Sequence, residues 1–261
     1  MLLEQKTAVI YGAGGAIGGA VARAFAREGA HVFLTGRTLS TLDAVARDIV
    51  QAGGTAESAQ VDAYDQQAVD RHLNAVVQKA GHVDISFNVI SIGYQQGAPL
   101  TQMSLQEFAP PIADVMTTQF ITTTAAARQM IKQHSGVILA ITATPSRSFI
   151  ANSGNFGVSG AAIESLCRQL AGELGPHGVR VICLRSAGSP DAPVVHKVMT
   201  YLGEQAGITG AEFEARLAER TLLKRLPKLA EVANAAVVMA SGYASAMTGA
   251  VANVTCGEIV E

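Results

Sequence analysis

The sequence predicts an α/β fold: a parallel sheet covered by helices on both faces. Three observations predict it. Short apolar runs alternate with longer stretches of helical spacing along the whole chain. The first apolar run ends in a glycine-rich loop that opens a helix. Apolar residues make up 49% of the 261 residues, enough for one large core.

Each element follows from its local pattern. "TAVIYG" (7–12) is an apolar run closed by glycine, and "AIGGAVARAFAREG" (16–29) places Ile17, Val21 and Phe25 on one helical face before Gly29 stops it. "HVFLTG" reads as the second strand, "TLDAVARDIVQAGG" as the second helix and "TAESAQV" as a weaker third strand. Residues 65–80 make a third helix and "VDISFNV" a fourth strand. Pro110 and Pro111 are breakers, so the next helix is predicted from about 112 to 133. "GVILAIT" is the fifth strand, 153–174 a helix, "GVRVICL" the sixth strand and "GAVANVT" a short last one. No linker, repeat or low-complexity segment interrupts this rhythm, which predicts one domain over 1–261.

Composition narrows the function classes. The net charge is −2 with no basic stripe, which argues against nucleic acid as a partner. Cys167, Cys183 and Cys256 lie far apart in no metal-ligand spacing, and read as small buried residues of a reducing, cytoplasmic protein. No apolar run reaches the length of a membrane span, and no signal peptide is read at the N-terminus.

The loop "YGAGGAIGGA" stands where the first strand meets the first helix. In a doubly wound sheet that junction holds a dinucleotide pyrophosphate on the helix N-terminus, whose free N–H groups and partial positive charge face the phosphates. Gly12, Gly14, Gly15 and Gly18 let the backbone approach, while Ile17 occupies the last place of the strict G-x-G-x-x-G spacing. The second strand ends in "TGRT". Where an acidic residue would bind the ribose hydroxyls of NAD(H), Arg37 suits a 2′-phosphate, which favours NADP(H).

These residues resemble the short-chain dehydrogenase/reductase family over nearly the whole chain. The family loop "TGxxxGxG" corresponds to Tyr11 through Gly18, with Ala16 in place of the middle glycine. Asp62, with the adjoining Ala63, matches the aspartate that meets the adenine, and "NVIS" keeps only Asn88 of the family's "NNAG". "GVILAITAT" matches the fifth strand, and the segment from "LKRLPKLAEVANAA" to "GAVANV" resembles the last helix and strand. The resemblance implies a single Rossmann-type domain with a seven-stranded sheet in the order 3-2-1-4-5-6-7. It also implies a substrate lid at about 189–226, and a homo-oligomer, dimer or tetramer, built on the helices at 112–133 and 153–174.

The same resemblance implies a tyrosine that exchanges the substrate proton and a lysine four residues on that favours the phenolate and holds the nicotinamide ribose. It also implies a serine that orients the carbonyl and a helix asparagine that keeps a relay water. The family spacing puts the serine at Ala143, the tyrosine at Phe156, the lysine at Gly160 and the asparagine at Val115. The "PG" that touches the nicotinamide has become "RSAG" (185–188). No tyrosine occurs between Tyr94 and Tyr201 and no lysine between Lys132 and Lys197, so no displaced pair exists nearby. Substitutes for the missing acid are Tyr94, in the loop after the fourth strand, and the hydroxyls of Thr142 and Thr144, which can orient a carbonyl. His196 falls in the lid. Glycines 154, 157 and 160 recur every third position, which predicts either close helix–helix approach at a subunit interface or an apolar hollow beside Phe156.

Three functions follow. One is an NADP(H)-dependent carbonyl or alcohol oxidoreductase, 3-oxoacyl reductase-like, with a non-standard proton donor. The second is a catalytically silent NADP(H)-binding protein, such as the partner subunit of an active paralogue. The third is a redox-neutral lyase or isomerase. In each the partner is a small molecule.

Overall fold

The structure is a computed structural model and describes residues 1–260. Seven strands form one parallel sheet in the order β3-β2-β1-β4-β5-β6-β7. They are β1 (Thr7–Tyr11), β2 (His31–Gly36), β3 (Thr55–Gln60), β4 (Ile85–Asn88), β5 (Gly136–Ala143), β6 (Val179–Ser186) and β7 (Ala250–Val254). Helices α1 (Ala16–Arg27), α2 (Leu39–Gln51) and α8 (Leu229–Ala240) cover one face. There Val21, Phe25, Leu42, Ile49 and Val237 pack under the sheet. Helices α3 (Gln66–Ala80), α4 (Leu105–Gln133) and α5 (Asn155–Leu174) cover the other, through Val69, Leu73, Val115, Met130, Ile163 and Leu170. Every residue of β1 is buried, as a central parallel strand with both faces covered requires. The predicted strand order is therefore the observed one.

Strand β1 sits between β2 and β4, so the chain winds outward in both directions from it. Such a reversal opens a crevice at the carboxyl ends of the strands. Tyr11 pairs in register with Thr35 on one side and Asn88 on the other. This brings the glycine loop, the start of α2 and the segment after β4 to one edge.

One expectation is corrected. Helix α4 starts at Leu105, not after the proline pair, and contains both Pro110 and Pro111. A capping box starts it: Ser104 Oγ accepts from the Glu107 N–H, and Glu107 Oε2 accepts from the Ser104 N–H at 2.8 Å. Pro111 has no N–H for the Glu107 carbonyl. Asn155 Nδ2 supplies that donor at 2.9 Å, so the helix continues through the prolines. Residues 189–226 carry two further helices, α6 (Pro193–Gln205) and α7 (Gly210–Glu219).

Candidate active site

The glycine loop has the geometry of a phosphate cradle. Gly12 adopts φ +83°, and a Cβ there would stand 3.0 Å from the backbone of Ile90. A Cβ at Gly18 would lie 2.3 Å from the Gly12 carbonyl oxygen. Gly18, not residue 17, is thus the glycine that lets α1 pack on the strand, while Ile17 packs on the core; this is why the spacing departs from G-x-G-x-x-G. Gly15 is the N-cap of α1, has no side-chain cap and is exposed, with only the Gly12 carbonyl near its missing side chain. Gly14 packs against Thr41 of α2, where a Cβ would meet Thr41 Oγ1. Uncapped N–H groups above bare glycine backbone fit a pyrophosphate.

Around this cradle, Arg37 is exposed directly after β2, its carbonyl accepting from Gln60 Nε2 at 2.9 Å. Asp62 is exposed and Ala63 buried; Asp62 Oδ1 accepts from the Tyr64 N–H at 3.0 Å, which folds the chain into a turn at the end of β3. Asn88 is buried. Its Nδ2 donates to Thr122 Oγ1 and its Oδ1 accepts from the Ile90 N–H, so it ties β4 to α4 and shapes the start of the 89–97 segment.

Tyr94 stands beside Phe156, with ring centroids 4.7 Å apart and planes inclined by 49°. A phenol therefore lies next to the position where the family spacing places its tyrosine. Burial pushes Tyr94 up to about 12, with a smaller contribution from Tyr64. Among the described residues, no cation acts to lower it.

Both candidate threonines are buried. Thr144 is buried and opens a single 3₁₀ turn, Thr144–Ser146. Thr142 pairs in register with Arg185, and Arg185 with Asn253, which lines three residues across β5, β6 and β7. Above them Glu164 descends from α5. Arg185 donates to both of its oxygens, Nε to Oε1 at 2.9 Å and Nη2 to Oε2 at 2.8 Å. Thr142 Oγ1 and Ser146 Oγ also donate to Oε1, at 2.9 and 2.5 Å. Arg185 Nε further donates to Ser146 Oγ at 3.2 Å, and its Nη1 to Asn253 Oδ1 at 3.0 Å. Burial alone would raise Glu164, but hydrogen bonds from Arg185, Ser146 and Thr142 and the Arg185 charge hold it below the usual carboxylate range. Sequence reasoning missed this network. Its signal was there: an arginine ending the apolar run "VICLRS" and a glutamate on the apolar face of "GAAIESL" are charges that burial forces to pair.

The glycine triplet is also corrected. A Cβ at Gly154 would lie 1.8 Å from the Gln95 carbonyl oxygen, one at Gly157 2.6 Å from the Pro145 carbonyl oxygen, and one at Gly160 2.9 Å from Ser146 Cβ. Loops of the same chain fill these positions, and at Gly160 Ser146 takes the space predicted to be hollow. Val115 is buried in the core and His196 is exposed on α6. Among the described residues no His, Cys, Asp or Glu cluster could hold a metal ion, and no helix is long and apolar enough to cross a membrane.

Comparison with known proteins agrees with this architecture. A family profile described as enoyl-(acyl carrier protein) reductase matches residues 12–258. The 7α-hydroxysteroid dehydrogenase of Escherichia coli is 28% identical over 259 residues, 99% of this chain and 96% of the relative. Gluconate 5-dehydrogenase of Gluconobacter oxydans is 29% identical, covering 98% of this chain and 95% of that protein. Among solved structures, sorbitol-6-phosphate 2-dehydrogenase from Erwinia amylovora superposes with a TM-score of 0.90 at 25% identity, covering 97% of this chain and all of that one. A 7α-hydroxysteroid dehydrogenase bound to NADH and 7-oxoglycochenodeoxycholic acid superposes with a TM-score of 0.84 at 28% identity, covering 99% and 96% of the two chains. With a matching profile over nearly its full length, this chain belongs to the short-chain dehydrogenase/reductase family.

Proposed function

We propose that this protein is an NADP(H)-dependent carbonyl reductase in which Tyr94 donates the proton. The observation that carries the reading is the Tyr94 phenol packed on Phe156. The glycine cradle, Arg37 for the 2′-phosphate and Asp62 with Ala63 for the adenine suit NADP(H). NADPH, when bound, supplies the hydride that reduces the carbonyl carbon. Tyr94 gives its phenolic proton to the carbonyl oxygen, which becomes an alcohol, and regains a proton from water.

The raised pKa sets the direction. A phenol that titrates at about 12 is protonated in all but about one molecule in 10⁵ at neutral pH. Such a group can protonate a developing alkoxide, a stronger base than phenolate, but is almost never the phenolate that alcohol oxidation needs. Without a lysine one turn on, the phenol stays an acid, so reduction is favoured over oxidation. The segment 189–226, with α6 and α7, serves as the lid over a small-molecule substrate of the ketone or 3-oxoacyl class. Phe120 on α4 and Val158 on α5, 58% and 43% exposed, support a homo-oligomer on those helices. The three free cysteines suit a reducing cytoplasm.

The test is NADPH oxidation against a panel of ketones and 3-oxoacyl thioesters, with Tyr94→Phe alongside. A positioned acid is worth about 10²–10⁴-fold, so Tyr94→Phe should lower kcat by at least about 10²-fold and leave NADPH affinity unchanged. Wild-type turnover in Tyr94→Phe refutes Tyr94 as donor. A specific observation favours a second reading, a silent NADP(H)-binding protein: Ser146, held by Glu164 and Arg185, fills the place where the lysine side chain would start. That reading predicts NADPH binding by calorimetry with no turnover on any panel member.

A further inference from the structure

The segment Asn152–Phe156 lies where the family resemblance expects the proton donor. In this chain it surrounds the loop that bears Tyr94. The Gly97 N–H donates to the Asn152 carbonyl at 2.8 Å. The Gln95 N–H donates to Asn155 Oδ1 at 3.2 Å. Gly154, at φ +57°, lets the Gln95 carbonyl approach to a point that any Cβ would block. Phe156 then meets the Tyr94 ring. From the lid side, Tyr201 of α6 presses on Gly97, where a Cβ would stand 2.7 Å from its hydroxyl oxygen.

Asn155 joins these contacts to the rest of the fold. It is fully buried, and its Nδ2 donates to the carbonyls of Glu107 at 2.9 Å and Phe108 at 3.2 Å. Its oxygen faces an N–H and its nitrogen faces two carbonyls, so only one orientation of the amide satisfies all three partners. One side chain thus fixes the α4 start, the α5 start and the backbone next to Tyr94.

We infer that Asn155 is the positioning residue for Tyr94, holding the loop backbone while Phe156 holds the ring. The inference rests on Tyr94 as the proton donor and deepens it. The physical argument is that a loop residue keeps one rotamer only when its backbone and ring face are both held, and a misplacement of about 1 Å costs on the order of 10²-fold in rate. With Asn155 truncated, the Gln95 N–H and the Glu107 carbonyl both lose their partner. The loop then lifts, and the phenol gains solvent.

Two measurements on the full-length protein test this. Tyrosine labelled with ¹³C at the ζ carbon gives one resonance per tyrosine, five in all, and Tyr94→Phe identifies the relevant one. In the wild type that resonance should not reach a titration midpoint up to about pH 11. In Asn155→Ala and in Phe156→Leu it should reach its midpoint within that range, as the phenol moves toward its ordinary value of about 10. In both variants kcat should fall about 10- to 100-fold while KM and NADPH affinity stay within about threefold. Phe156→Leu keeps every hydrogen bond of Asn155, so it reads the ring contact even if Asn155→Ala does not fold; Asn155→Ser then reads the backbone contact. A Tyr94 resonance unchanged from wild type in the folded variants overturns the inference. If Tyr94→Phe keeps wild-type turnover, the donor reading fails, and the titration still decides whether Asn155 and Phe156 hold the phenol.

Discussion

In the proposed reading, cofactor choice turns on Arg37. It follows β2 directly, is exposed, and has its backbone fixed by Gln60, so its side chain is free to meet a ligand at the end of the strand. A hydrogen bond to a charged group contributes about 1.5–3 kcal/mol, so Arg37→Ala should weaken NADPH binding by roughly 10- to 100-fold. NADH has no 2′-phosphate, and its affinity should hardly change. Calorimetric titration with both cofactors in both proteins checks this, and an equal loss for the two would remove Arg37 from phosphate recognition. The place of Arg37 directly after β2 was legible because local sequence fixes where that strand ends. Asn88 could be placed by its motif, but its bonds could not: Thr122 lies 34 residues away, and only the packing of α4 brings it to β4.

At the scale of the element, α5 shows which features a local pattern can and cannot convey. Its extent was readable, predicted as 153–174 and observed as Asn155–Leu174. What its glycines contact was not, because Gln95, Pro145 and Ser146 belong to loops whose course the period does not specify. The same limit applied to α4, whose two prolines signal a break locally while the compensating donor, Asn155, sits more than forty residues on. The contacts give two substitutions in one helix opposite signs. Gly172 has nothing within 4 Å of its missing side chain, so Gly172→Ala should stabilise by up to about 1 kcal/mol through helix propensity. Gly160→Ala gains the same propensity but drives a Cβ to 2.9 Å from Ser146 Cβ. Ser146 cannot yield easily, since Glu164 and Arg185 both hold its hydroxyl. Overpacking of this kind costs about 1–3 kcal/mol, so Gly160→Ala should destabilise by about 1 kcal/mol net. Urea unfolding of the two variants reads the difference, and stabilisation by both would show that the 3₁₀ turn at Thr144–Ser146 moves freely. The same crowding predicts that a Phe156→Tyr/Gly160→Lys double variant loses stability and gains no reductase activity.

The whole molecule is joined at its carboxyl edge by the Glu164–Arg185 pair, which links α5 to β6 and, through Thr142, Ser146 and Asn253, to β5, the following turn and β7. Both charged side chains are almost entirely buried, at 6% and 2% exposure, so neither is stabilised by water if the other is lost. Removing one partner of such a pair costs about 3–5 kcal/mol because a charge stays buried without its counterion. Glu164→Gln should therefore lower unfolding free energy by that order at neutral pH. The pH dependence follows from the direction of the shift. The Glu164 carboxyl is held below its ordinary value in the folded state, so the unfolded chain takes up the proton first as pH falls. Its contribution to stability is complete above the ordinary glutamate range, near pH 4.3, and declines as pH drops through that range toward the lower folded value. The wild type should accordingly lose stability on acidification faster than Glu164→Gln, whose amide does not titrate. All other carboxylates are common to both proteins and cancel in the comparison. Urea midpoints measured at about pH 7 and at about pH 3.5 should thus differ most between the two proteins at the first pH, with the gap narrowed by up to about 1 kcal/mol at the second. A gap of constant size would mean that Glu164 keeps its proton state throughout, and that the network is held by shape and neutral hydrogen bonds instead of by the ion pair.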